Sequence, residues 1–130
     1  MQHIPALIIG AGQAGLAMSY CLTARGIDHV VLERGRVAER WRSERWDSLR
    51  LLSPNWMTRL PGWSYWGRDP DGFMTAPDFV RYLDAYAAAS VAPVETRTTV
   101  RSVRRDALGF RIETDRGMKL ARAVIIATGH

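Results

Sequence analysis

The sequence predicts an α/β fold, a parallel sheet flanked by helices with a small antiparallel meander late in the chain. Three observations carry this. Ile4 to Ile9 and Ile27 to Glu33 are apolar runs rich in branched residues on either side of a Pro-free helical stretch, which is the order of a βαβ unit. A glycine cluster follows the first run directly. Residues 94 to 121 read as strands separated by turn residues.

The elements follow in order. Ile4 to Ile9 reads as a strand buried on both faces, closed by Gly10. Gln13 to Arg25 reads as a helix with Leu16, Tyr20 and Thr23 on one face and Met18 and Leu22 on another, stopped by Gly26. Ile27 to Glu33 is the second strand, and residues 35 to 45 read as a charged helix. Ser53 to Pro77 carries four prolines, three glycines and the aromatics Trp56, Trp63, Tyr65 and Trp66. So many large aromatics predict an ordered loop and not a linker. Thr75 with Asp78 three residues on fits a capping box, opening a helix whose stripe is Phe79, Leu83, Tyr86 and Ala87. Val94 to Val103 and Leu108 to Thr114 read as strands around a turn at Asp106 to Gly109. Asp115-Arg116-Gly117 turns into Met118 to Ala121, and Ala123 to Ala127 is a last buried strand.

Composition narrows the function classes. The chain has 130 residues, 47% hydrophobic and 24% charged, which suits one globular domain. No run of ~18 apolar residues offers a membrane span, and no secretory leader is recognisable, so a cytoplasmic protein is expected. Cys21 is the single cysteine, which excludes an internal disulfide and a C-x-x-C redox pair; its place in the first helix predicts a buried, inert thiol. His3, His29 and His130 are too scattered for a metal site. The net charge is +5, and Lys119 is the sole lysine among 18 basic residues. Six arginines between Arg34 and Arg50 run beside Glu39, Glu44 and Asp47. This segment reads as a solvated helix of mixed charge, as a setting for phosphates, or as a polyanion patch.

Gly10-Ala11-Gly12-Gln13-Ala14-Gly15 is a G-x-G-x-x-G placed where a strand ends and a helix opens. Gly10 permits the tight turn, Gly12 leaves room for a pyrophosphate against the backbone, and Gly15 lets the helix pack on the sheet. The helix N-terminus offers N–H groups and a positive dipole end, so Gln13 and Ala14 belong to the same site. Glu33, 18 residues after Gly15, ends the second strand, where a carboxylate accepts from a ribose diol and repels a 2′-phosphate. FAD or NAD is therefore expected there, not NADP. Ala127-Thr128-Gly129 closes the last strand with small residues at the end where open α/β sheets place ligands.

This order of motifs resembles the N-terminal FAD-binding part of flavin-dependent monooxygenases, the flavin-containing, Baeyer–Villiger and YUCCA-type enzymes. Ile8 to Glu33, Arg40 to Pro61 and Val124 to Gly129 carry the resemblance, and Trp46-Asp47-Ser48-Leu49-Arg50-Leu51 with Pro54 and Leu60-Pro61 is similar to the YUCCA-type segment. It implies a Rossmann-like FAD/NAD(P)-binding domain over residues 1–130. Gly10, Gly12 and Gly15 would hold the pyrophosphate of FAD, Glu33 the ribose with Arg34 beside it, and Val100 would present backbone to the adenine. Arg40 and Trp41 would belong to the site, with Trp41 closing the family's G-G-x-W segment. Thr128 and Gly129 would line the dinucleotide. The chain departs from the pattern at Ala38 and Glu39, which replace the paired glycines, and at Leu52, where relatives often carry Asn or His. Ser53 or Asn55 is the substitute candidate for that polar group.

The resemblance also implies a second G-x-G-x-x-G for NADPH or NADH and a histidine-bearing signature, and neither occurs. The expectation is a truncated domain, about the first third of an enzyme, with no evident acid–base or nucleophilic catalyst. Its partners would be FAD, a small-molecule substrate, and a C-terminal half or a second copy of the chain, with no nucleic acid. An NAD-binding dehydrogenase or reductase module and a non-catalytic nucleotide-binding fragment are the alternatives. The four loop aromatics read either as walls of a flavin or substrate pocket or as a loop packed on its own domain.

Overall fold

Residues 2–43, 49–51 and 53–129 are described by the structure, a computed structural model. In chain order the elements are β1 (Ala6–Ile9), α1 (Gln13–Ala24), β2 (His29–Leu32) and α2 (Glu39–Ser43). A 3-10 turn at Asn55–Met57 precedes the short strands β3 (Arg59–Leu60) and β4 (Trp63–Ser64). Then come α3 (Ala76–Ala89), β5 (Val94–Glu95), β6 (Val100–Asp106), β7 (Gly109–Thr114), β8 (Gly117–Ala121) and β9 (Val124–Ile126).

β5, β2, β1 and β9 form, in that order, a parallel sheet, and β6, β7 and β8 form an antiparallel meander. Successive residues of a strand point to opposite faces, and both faces of this sheet are covered. Ile8 and Val31 pack with Leu16, Phe79 and Leu83 of the helices, whereas Leu7, Val30 and Leu32 pack against Ile112 and Ala121 of the meander. This is why β1 and β2 are continuous apolar runs.

α1 ends as its glycine predicts. Gly26 adopts φ 68°, its N–H donates to Thr23 O, and Ile27 N–H donates to Leu22 O, a Schellman stop. Its buried stripe runs through Gly15, Leu16 and Ser19, and Thr23 is exposed. Ser19 can be buried because its hydroxyl bonds His29 Nε2 at 2.7 Å. Cys21 is half-buried, so the expectation of a buried thiol does not hold. α3 opens as expected, with Thr75 Oγ1 accepting from Asp78 N–H, and buries Phe79, Val80, Tyr82, Leu83 and Tyr86.

Two segments differ from their local reading. The helix expected from residue 35 begins at Glu39, because Ala38 is left-handed at φ 60°. The strand expected over Val94 to Val103 divides between two sheets. Arg97, at φ 52°, donates its N–H to Gly35 O, and Thr98 N–H donates to Glu33 O, which turns the chain out of the first sheet.

The aromatic loop packs on its own domain. Tyr86 Oη donates to Pro61 O at 2.7 Å and Tyr82 Oη to Thr58 O at 3.2 Å. Trp63 meets Trp66 edge-on at 4.8 Å, and Trp66 stacks on Tyr82 at 5.6 Å. Among the described residues no helix is long and apolar enough to cross a membrane.

Candidate functional site

A groove of about 1040 Å³ opens at the carboxyl ends of β1, β2 and β9, at the upper end of the ~300–1,000 Å³ usual for small-molecule sites. Gly10 and Gly12 line it from the β1–α1 loop, and Gln13 and Ala14 from the first turn of α1. Glu33 and Arg34 enter from just beyond β2, Arg40 and Trp41 from α2, Val100 from β6, and Thr128 and Gly129 from beyond β9. Of the twelve predicted site residues, Gly15 alone does not line the groove.

The three glycines do different work. Gly10 adopts φ 111°, and a side-chain carbon there would overlap the Ala127 carbonyl. A carbon on Gly15 would overlap the Gly10 carbonyl, which makes Gly15 the packing glycine between α1 and β1. A carbon on Gly12 would meet nothing within 4 Å. Gly12 is also the N-cap of α1, which has no side-chain capping bond and no acidic residue in its first turn. The positive end of the helix therefore faces open space uncompensated by the helix's own residues, which suits a diphosphate.

Glu33 is 9% exposed, and its carboxylate accepts from Ala11 N–H at 2.9 Å and from Gly35 N–H at 2.7 Å. Trp41 meets Phe79 edge-on at 4.6 Å, fixing α2 on α3 as a wall of the groove. The Arg40 guanidinium lies beside Gly129.

Other lining residues were not predicted. Ala38 and Glu39 stand where relatives were expected to carry glycine, and both line the groove. Arg36 grips Glu39 with Nε and Nη2, at 2.9 and 3.0 Å. These bonds, and one from the Arg36 backbone N–H, lower the Glu39 carboxyl to about 2. The three-residue spacing of Arg36 and Glu39 was the available signal. Thr98 and Thr99 also line the groove, and nothing local marks them.

Neither Ser53 nor Asn55 lines the groove. Asn55 is buried, and its Nδ2 donates to Asp69 O at 2.8 Å. Leu52 and the Trp46 to Ser48 segment lie outside the described residues. Trp56, Trp63 and Tyr65 wall a separate hollow of about 410 Å³ with Arg59 and Pro70, so they do not wall the groove. Among the described residues no group of His, Cys, Asp and Glu could hold a metal ion.

A family profile described as pyridine nucleotide-disulphide oxidoreductase matches residues 7–130. An uncharacterized CzcO-like oxidoreductase of Geobacillus kaustophilus is 39% identical, over 99% of this chain and 37% of its own length. Indole-3-pyruvate monooxygenase YUCCA1 of Oryza sativa subsp. japonica is 37% identical, over 95% of this chain and 31% of its own. The flavin-containing monooxygenase of Stenotrophomonas maltophilia superposes with a TM-score of 0.87 at 31% identity, over 99% of this chain and 39% of that one. The chain thus spans somewhat over a third of the length of the first of these relatives and under a third of the second.

Proposed function

The chain belongs to the pyridine nucleotide-disulphide oxidoreductase family, and on that premise we propose that residues 1–130 form the FAD-binding domain of a flavin-dependent oxidoreductase. The whole protein would use NADPH or NADH to oxygenate a small organic substrate in the cytoplasm. The observation that carries the reading is the groove itself, with open space over Gly12 at the N-terminus of α1 and the Glu33 carboxylate at the end of β2.

The residues present suit a dinucleotide. Backbone N–H groups of Gly12, Gln13 and Ala14 would hold the diphosphate, and Arg34 and Arg40 add positive charge at the same groove. Glu33 would accept from the ribose hydroxyls, and Val100 would offer backbone to the adenine. Trp41, Thr128 and Gly129 would line the remainder. Gly15 would act indirectly, by letting α1 sit close enough to present its N-terminus. When bound, FAD supplies the redox chemistry, and these residues bind and orient it.

The test is reconstitution. The purified chain is mixed with FAD, freed of excess, and its visible flavin absorbance read against protein concentration. One flavin per chain is expected. Tight NAD binding without flavin uptake would overturn the reading.

A further inference from the structure

Ala11, between the first two glycines, is fully buried and held from two sides by one stretch of chain. Its N–H donates to Glu33 Oε1 at 2.9 Å, and its carbonyl accepts from Ala38 N–H at 3.0 Å. The other oxygen of Glu33, Oε2, accepts from Gly35 N–H at 2.7 Å. The carboxylate therefore ties the glycine-rich loop to the β2–α2 connection within the protein itself. The Glu33 backbone is fixed as well, its N–H donating to Glu95 O and its carbonyl accepting from Thr98 N–H.

We propose that Glu33 is a positioning residue that sets the conformation of the glycine-rich loop through this clamp, in addition to any contact with a ribose. The proposal rests on the FAD-domain reading only for the identity of the ligand. Glycines leave a loop with more conformational freedom to lose than other residues do. A loop already held needs less ordering when a diphosphate arrives, and this favours binding. Hydrogen bonds from N–H to a carboxylate are charge-assisted, and this one is largely shielded from water. A carboxylate has about four lone-pair sites, so two backbone bonds leave capacity for a diol. Clamp and ligand contact are therefore compatible.

Glu33→Gln separates the two roles. An amide keeps one acceptor oxygen and sets an NH₂ donor against the second backbone N–H. Amide hydrogen exchange in the ligand-free 130-residue chain reads the clamp directly. Ala11 and Gly35 are expected to be protected in the wild type. In E33Q at least one of them should exchange at least about tenfold faster, while Gly10 N–H, bonded to Leu32 O, keeps its rate. Binding of 2′,3′-dideoxy-ADP, which has no diol, gives the second reading. A clamp predicts that E33Q weakens this ligand as well as ADP. A residue acting only on the ribose predicts that the dideoxy ligand is unaffected, and that result would overturn the proposal. Unprotected Ala11 and Gly35 in the wild type would also overturn it, even if E33Q fails to fold. Exchange is read without cofactor, so a chain that takes up no flavin leaves this result standing.

Discussion

Gly10 and Ala127 approach so closely that a Cβ on Gly10 would overlap the Ala127 carbonyl oxygen. The contact joins the end of β1 to the end of β9, where Ala127 N–H donates to Ile9 O at 2.8 Å. Gly10→Ala meets both this overlap and a φ of 111°. It should cost about 3 kcal/mol or more, read as a shift of the urea unfolding midpoint. An alanine variant of wild-type stability would contradict the contact.

Gly12 should behave differently. Nothing lies within 4 Å of a Cβ placed there and its φ of −88° suits any residue, so Gly12→Arg should unfold at nearly the wild-type midpoint. Its side chain would fill the space assigned to the diphosphate. FAD affinity, followed by quenching of flavin fluorescence, should then fall by at least about a hundredfold, about 2.7 kcal/mol. Unchanged affinity would mean that the diphosphate lies elsewhere.

Ala38 holds a left-handed φ of 60° with its methyl in the core. Ala38→Gly relieves about 1 kcal/mol of backbone strain but loses a buried methyl and adds unfolded-state entropy, so stability should stay within about 1 kcal/mol. Ala38→Val places a branched residue at positive φ in a filled space and should cost about 2 kcal/mol or more. Thermal melts of the two variants would show the asymmetry.

Burial pushes the Tyr82 phenol up to about 12, and burial with the nearby Cys21, Tyr20 and Tyr82 does the same to Tyr86. The folded chain thus holds these protons more tightly than the unfolded one, whose tyrosines titrate near 10. The contribution is complete below about pH 10 and is lost as pH rises from there towards 12. Stability should fall over that window, and Tyr82→Phe with Tyr86→Phe should flatten the fall in urea titrations. Tyr86→Phe alone should cost about 1 kcal/mol at neutral pH, because Pro61 O loses its donor.

Local pattern was enough for the βαβ unit, the glycine turn, the acid at Glu33 and the Thr75 cap. Each is written in a short span as a periodicity, a spacing or a capping residue. Other features depend on contacts between distant segments. That Thr128 and Gly129 share a groove with Gly12 follows from the pairing of β9 beside β1, which buries apolar faces on both sides of the sheet. Thr98 and Thr99 reach the groove because hydrogen bonds to Gly35 and Glu33 turn the chain there, not because their own residues favour a turn. Ala38 takes a glycine's conformation because its N–H reaches Ala11 and its methyl fills the core. The residues of the glycine-rich loop were therefore fixed by the sequence as a motif, whereas their closure into a groove was decided by long-range hydrogen bonds and two-sided burial that no short window records.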